Sequence, residues 1–394
     1  MLDQDPGEPK TVSVNIVERI SQLSAEDWDA CAGGENPFVS YAFLSALEDS
    51  GSATAKTGWQ PHHLAIGVED GRLLGAVPMY LKSHSQGEYV FDWGWADAYE
   101  RAGGRYYPKL QAAAPFSPVT GPRLLARPGD DADSVRSTLI AGMIETVKQY
   151  KLSSVNVTFP HEADARRLEA AGFLIRHGHQ FHWRNEGYES FDDFLANLSS
   201  RKRKNIRKER KAIADQGVRF DTLVGDDIKP HHWDEFHRFY VSTYDRKWGY
   251  PYLTREFFDL LNDRMADRVA LIRAEEDGVA IGGALNLIGS EALFGRNWGC
   301  NSQLKFLHFE ACYYRAIDLA IERKLDRVEA GTQGPHKIQR GYLPVQTYSA
   351  HWIRDEGFRD AVADFLEREK QAEAGEVDYL GEMSPFRRSD SDEA

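Results

Sequence analysis

The sequence predicts an α+β fold built from two like units in tandem, and three observations predict it. Helix-period and strand-period patterns alternate along the chain instead of segregating. A strand, a Glu-Asp-Gly turn and a second strand occur twice: Ala65-Ile66-Gly67-Val68-Glu69-Asp70-Gly71-Arg72-Leu73 matches Leu271-Ile272-Arg273-Ala274-Glu275-Glu276-Asp277-Gly278-Val279. Each half then carries a Trp-Gly pair, Trp93-Gly94 and Trp298-Gly299. Similarities in register mark a duplication. Length agrees, because 394 residues exceed the roughly 250–300 at which single cores stop growing.

The elements follow in order. Ser24 and Asp27 open a first helix in the manner of a capping box. Asn36-Pro37-Phe38 breaks it, and Tyr41 to Glu48 is a helix with Phe43, Leu44 and Leu47 on one face. His63 to Val68 is a strand, Asp70-Gly71 its hairpin turn, and Leu73 to Leu81 the return strand. Ser134 to Tyr150 is a long helix and Ser154 to Phe159 a strand. Ala163 to Ala171 is a helix stopped by Gly172, a residue free to take the left-handed cap, before a strand from Phe173 to Trp183. The second half repeats the order: helices His231–Tyr244 and Thr254–Met265, strands Val269–Ala274 and Val279–Ile288 about the Asp277-Gly278 turn, helix Phe309–Arg323, strand Arg327–Ala330. The division falls near Asn185-Glu186-Gly187. Residues 1–11 are a loose N-terminus, 12–186 the first unit, 187–375 the second, and 376–394 an acidic, Ser-rich tail expected to fray.

Composition narrows the function. Net charge is −13, which argues against coating nucleic acid or anionic membrane. No run of about 18 apolar residues exists to span a bilayer. The acidic start does not read as a secretory signal, and three scattered cysteines form neither a disulfide framework nor a CxxC site. A cytoplasmic protein with no tightly bound cofactor is the expectation.

Against this acidic background, eight of the eleven residues from Arg201 to Lys211 are Lys or Arg. Ile206 and Ile213 give that helix a narrow apolar stripe, while Arg201, Arg203, Lys204 and Arg207 are candidates to hold a phosphate. Like charges at i,i+4 cost about 0.2–0.5 kcal/mol per pair, so an anion is expected to offset them; a plain solvated face is the alternative. Ser199 or Ser200 would cap the start, where a phosphate is also favoured. In Phe91-Asp92-Trp93-Gly94-Trp95-Ala96-Asp97, Asp92 and Asp97 are candidates to bind an amine or sugar hydroxyls, with Trp93 and Trp95 as stacking walls; a core strand and turn is the alternative. In Arg296-Asn297-Trp298, strand alternation sets Arg296 and Trp298 on one face and Asn297 on the other. Arg296 suits a carboxylate or phosphate or a structural salt bridge. His308 and Glu310 are candidates for handling a proton, or for a helix start favoured by the dipole. His336, Lys337, Arg340 and Tyr342 belong to a turn-rich loop. His177, His179 and His182 do not make a metal site, because His182 faces away from the other two on a strand.

Several of these stretches carry a resemblance. The helix ending Arg167-Leu168-Glu169-Ala170-Ala171-Gly172-Phe173 resembles the last helix-strand step of the GNAT acyltransferase fold. The basic stretch Ser199–Lys208 running to Gly217-Val218, then Phe239-Tyr240 through Thr243 and Arg246, resembles the second domain of Fem-type aminoacyltransferases. So does Glu329-Ala330-Gly331-Thr332-Gln333-Gly334 with His336-Lys337 and Arg340-Gly341-Tyr342. The likeness runs over residues 12 to 375 and is nearest to bacterial N-acyltransferases of the peptidoglycan biosynthesis/recognition type. It implies two GNAT-like domains, each a mixed, mostly antiparallel sheet flanked by helices, and transfer of an acyl or aminoacyl group to an amine on a phosphate- or sugar-bearing acceptor. In Fem-type proteins the Lys of this loop lies at the active centre; carried to Lys337, it would support an oxyanion. The chain lacks both the helical-arm insertion of some Fem-type enzymes and the Gly-rich pyrophosphate loop of coenzyme A-dependent GNAT enzymes. The donor stays open between acyl-coenzyme A and aminoacyl-tRNA, with tRNA a partner in the second case. Chemistry is assigned to the second unit, which alone combines Arg296, His308, Glu310 and Lys337, and acceptor holding to the first. A recognition protein without turnover, or a coenzyme A-dependent enzyme acting on a small metabolite, are the alternatives.

Overall fold

The computed structural model describes residues 12–68, 72–129, 131–246, 250–332 and 334–387. Its strands run in chain order as β1 (Val12–Val17), β2 (Trp59–Pro61), β3 (His63–Val68), β4 (Leu73–Val77), β5 (Met79–Lys82), β6 (Lys109–Ala112), β7 (Leu125–Ala126), β8 (Ser154–Thr158) and β9 (Leu174–Arg184). The second half adds β10 (Arg219–Val224), β11 (Val269–Glu276), β12 (Val279–Ile288), β13 (Ala292–Cys300), β14 (Arg327–Glu329) and β15 (Leu343–Ile353). Eleven of them form one sheet, ordered β10-β11-β12-β13-β14-β9-β15-β8-β6-β5-β2, and β1-β3-β4-β7 form a smaller one.

The two halves repeat the same wiring of a GNAT-like unit. In the second, β11, β12 and β13 run antiparallel and β13 pairs in parallel with β14. In the first, β3 pairs with β4, β5 with β6, and β6 in parallel with β8. One residue separates the patterns. The expected strand Leu73 to Leu81 is cut at Pro78, which has no N–H to give a ladder, so β4 joins the small sheet and β5 the large one. Its uncut counterpart, β12, is entered through Asp277 and Gly278, both left-handed at φ 50° and 81°, as a two-residue hairpin turn requires.

The closing strands are exchanged. β9 ends the first half in chain order but lies between β14 and β15 of the second. β15 in turn pairs with β8 of the first half. The division read at residue 186 therefore does not divide the sheet. Elsewhere aromatic contacts join the two halves: Phe38 meets Phe294 edge-on at 5.2 Å and Phe43 meets Phe257 at 5.9 Å. Such pairs add about 0.5–1.5 kcal/mol each beyond their buried area.

Local signals read from the sequence recur in the coordinates. Ser24 accepts from the Asp27 N–H at 3.3 Å, and Gly172 takes φ 90°. Two expectations are overturned. The Trp-Gly pairs matched as a repeat are not equivalent, because Trp298-Gly299 lies on β13 while Trp93–Arg101 is a helix with Trp95 and Ala96 buried. The acidic tail does not fray at 376, since one helix runs from Glu356 to Glu382. Asp355 caps it at 2.8 Å, and Val362, Leu366 and Leu380 anchor it to the body. Beyond it Phe386 bridges to Leu198. The expected loose segment 1–11, the Glu69-Asp70-Gly71 turn, Gln333 and residues 388–394 lie outside the described residues, as does the Arg246 side chain.

Candidate functional site

β13 and β14 pair only as far as Phe294 and Glu329. Past that point β13 continues to Cys300 while the other chain turns away at Ala330, and the strands part. A cavity of about 510 Å³ fills the gap, walled by Arg296, Asn297, Trp298, His308, His336 and Lys337 among others. Six of the residues proposed from sequence thus meet in one place.

Strand alternation would have kept Asn297 from this set. The register between β12 and β13 slips between Leu285 and Asn286, so that Leu285 faces Asn297 while Asn286 faces Gly295. Arg296 is the extra residue of this bulge, a device that re-aims side chains beside functional sites. Its guanidinium donates to the Phe116 carbonyl and meets Tyr89, so it ties the cavity wall to the first half. Gly299 lets the helix Pro230–Arg246 approach β13: a Cβ there would sit 2.3 Å from the Phe239 carbonyl oxygen. The Thr243 hydroxyl of that helix reaches the Trp298 carbonyl at 3.4 Å.

The expected long helix from Phe309 is interrupted. It begins over Leu307–Phe309, widens to a π turn over Glu310–Tyr314 and resumes over Arg315–Glu322. Such widened turns recur at functional sites, and this one carries Cys312 and Tyr313 to the cavity. The Tyr313 hydroxyl lies 3.0 Å from His336 Nε2. His308 stands against Trp298 and Tyr313, with ring centres 5.6 and 5.2 Å away. Burial, with the nearby Arg340 and Lys337 cations, holds His336 below the ordinary imidazole value.

Lys337 is 5 % exposed. Its amine donates to the carbonyls of Ala330 at 2.5 Å and Gly331 at 3.2 Å, with no carboxylate bound to it among the described residues. Burial pushes the amine down to about 8. Nearby groups hold the loop that presents it. Arg340 pairs with both oxygens of Glu209 at 2.9 Å and lies 3.5 Å above the Phe309 ring. Tyr342 is fully buried, donating to the Tyr313 carbonyl at 3.1 Å. Arg340 and Tyr342 therefore position the loop and do not line the cavity.

Glu310 is withdrawn from the site. It accepts from Arg210 at 3.0 Å and Arg315 at 2.9 Å, and Arg210 also holds Asp318 at 2.7 Å. The basic helix, Ser200–Ala214, thus turns Arg210 and Glu209 inward. Ile206 and Ile213 are buried as expected. Arg207 spends its charge on Asp192 at 2.7 Å, whereas Arg201, Arg203 and Lys204 have no ion-pair partner among the described residues. Ser199 stands at the cap position without a side-chain bond to it.

The first-half cluster is not a ligand site of the expected kind. Asp92 is buried against Lys109 and accepts from Tyr106 at 2.6 Å. Burial works against its charge, but Lys109, Ser85 and Tyr106 outweigh it and hold the carboxyl below its usual range. Asp97 faces solvent in an i,i+4 pair with Arg101 at 2.9 Å, and Trp93 is 53 % exposed. Beside them lies a second cavity of about 460 Å³ that the sequence reading missed. One signal was present: Glu369, Glu373 and Glu376 form a stripe at i, i+4, i+7, hidden in a segment whose end read as tail. Among the described residues, no group of His, Cys, Asp or Glu could hold a metal, and no helix is long and apolar enough to cross a membrane.

A family model described as FemAB-like, peptidoglycan biosynthesis/recognition, matches residues 19–388. Solved structures that share the fold include three at similar coverage. FemX is 12% identical, with 86% of this chain and 98% of that one covered and a TM-score of 0.55. The C-terminal domain of a proposed lysylphosphatidylglycerol synthetase from Agrobacterium fabrum is 9% identical, covering 87% and 95% at 0.55. L-PGS from Bacillus licheniformis is 10% identical, covering 86% and 98% at 0.52. No curated protein matches the sequence.

Proposed function

This chain belongs to the FemAB-like peptidoglycan biosynthesis/recognition family, and from that premise we propose that it is an N-acyltransferase acting in the cavity around Lys337. The acceptor nitrogen attacks the carbonyl carbon of an activated acyl or aminoacyl donor. A carbon–nitrogen bond forms, the bond to the donor's thiol sulfur or ribose oxygen breaks, and the leaving atom takes a proton. The observation that carries this reading is the buried Lys337 amine, held by two carbonyls at 2.5 and 3.2 Å and facing an open volume. Charged, it stabilises the oxyanion of the tetrahedral intermediate. His308 is the imidazole assigned to the amine's proton, since Glu310 is engaged with Arg210 and Arg315. Arg201, Arg203 and Lys204 would receive the phosphates of donor or acceptor.

The acceptor is a phosphate- or sugar-bearing amine of the cell-wall precursor class, as the family description suggests. Donor identity rests between acyl-coenzyme A and aminoacyl-tRNA. A thermal-shift and native mass spectrometry screen against acetyl-coenzyme A, aminoacyl-tRNA and uridine-diphosphate-muramoyl peptides tests it. A ligand at 100 times its Kd should stabilise the protein by about 2.7 kcal/mol; no shift with any of them counts against transfer. One observation favours recognition without turnover, namely that no carboxylate lines this cavity among the described residues. Acylated product from any donor rules that reading out.

A further inference from the structure

The second cavity lies back to back with the first. Ala330 lines one and Thr332 the other, and the Gly331 carbonyl between them holds Lys337. The transfer chemistry proposed above leaves this second volume unused.

Its outer wall is the helix Glu356–Glu382. Arg176 grips Glu369 through bonds of 2.7 and 2.6 Å, and His179 Nδ1 lies 2.7 Å from Glu373. Glu376 has no hydrogen-bond or ion-pair partner among the described residues. The floor supplies an independent observation. Thr347 lines the cavity and is 4 % exposed, yet its hydroxyl has no hydrogen-bond partner among the described residues. It stands 3.3 Å from where a side chain on Gly178 would begin. Gly178 is its cross-strand neighbour and also lines the cavity, so the missing side chain leaves the hydroxyl facing the open space. At the lip, Phe91 and Trp93 are each 53 % exposed, with ring centres 5.2 Å apart.

Among the described lining residues three carboxylates face one guanidinium, that of Arg176, and the imidazoles of His177 and His179, so the lining disfavours anions. It suits a group with several N–H donors and no acceptor. We infer that this cavity binds a primary ammonium group, carried on a lysine-type chain or an amino sugar. Glu376 takes the charge, the Thr347 hydroxyl accepts one N–H, and the carbon skeleton lies against Phe91, whose ring face also attracts cations.

Isothermal titration of the full chain without any acyl donor tests this. The probes are Nα-acetyl-lysinamide against its neutral twin Nα-acetyl-norleucinamide, and glucosamine against N-acetylglucosamine. At least one cationic probe should bind about tenfold more tightly than its twin, as a charge-assisted hydrogen bond would make it; which one does so identifies the carrier. Glu376→Gln and Thr347→Val should each weaken that probe severalfold. Both side chains lack hydrogen-bond partners among the described residues, so the fold should survive, which an unchanged melting midpoint verifies. Equal binding of each pair, indifference to both substitutions, or competition by inorganic phosphate overturns the inference. Because no donor is present, such a result leaves the Lys337 reading standing. Binding as expected with no acylated product from any donor would instead sink the transfer reading and leave this site in place.

Discussion

Lys109 in the first half and Lys337 in the second are both buried amines, yet their surroundings are opposite. Lys109 donates to Glu88 at 2.8 Å and Ser85 at 2.9 Å and pairs with Asp92. Burial works against its charge, but the two carboxylates outweigh burial and raise its pKa. Lys82 completes the group, 3.8 Å from Glu88 and 3.7 Å above the Trp59 ring. Lys337 has two carbonyls and the Phe181 ring, 5.5 Å away, but no carboxylate among the described residues, and burial brings it down to about 8. A buried charge matched by carboxylates holds a fold together. One left unmatched beside an open cavity is available to meet charge that develops in a reaction.

Removing each amine should sharpen the contrast. Lys109→Met leaves Asp92 buried without its cation and Glu88 with Lys82 alone, 3.8 Å away, and denaturant unfolding should show a loss of about 3–5 kcal/mol. Lys337→Met strands no carboxylate, so the same measurement should show far less. Its expected effect is on turnover, a roughly ten- to thousand-fold fall in kcat with little change in acceptor binding. Tenfold weaker acceptor binding with normal turnover at saturation would make Lys337 a binding residue. The pH profile carries a smaller signature. The amine is charged below about 8 and neutral above it, so oxyanion support is present on the acid side and is lost as pH rises. Turnover should therefore fall as pH passes about 8, a limb that Lys337→Met should lack.

The smallest effect concerns the exposed cations. Replacing Arg201, Arg203 and Lys204 with Gln relieves like-charge pairs worth a few tenths of a kcal/mol each. Thermal stability should hold or rise slightly. Binding of a phosphate-bearing ligand should weaken at low salt, where screening is least. Unchanged binding there would return the helix to a plain solvated face.

The second-half cavity was largely legible because its residues announce themselves in short stretches. Arg296-Asn297-Trp298 and His336-Lys337 each lie on one local element, and the closing loop brings them to one wall. Glu310 was misread for a reason sequence does not carry: its partner Arg210 lies 100 positions away, across the packing of two helices. Asp92 was misread likewise, since Lys109 reaches it only after residues 93–101 coil into a helix. The carboxylate stripe on the last helix was visible at its spacing but hidden by acidic composition, which resembles a frayed end until three apolar anchors are seen to dock.

Sequence by itself determined many of the helices and strands, the Asp277-Gly278 turn and the duplicated order, because these follow from periods of 2 and 3.6 residues and from what Gly, Pro and Asp-Gly permit locally. It also determined which helix would be cationic and which loop would offer a lysine. Tertiary structure alone decided that β9 and β15 exchange places, that a bulge turns Arg296 toward the first half, and that one cavity receives an unpaired amine while the other receives a stripe of carboxylates. Those outcomes depend on which distant side chains meet once the sheet closes. A buried charge is matched or left open according to neighbours that no local pattern names.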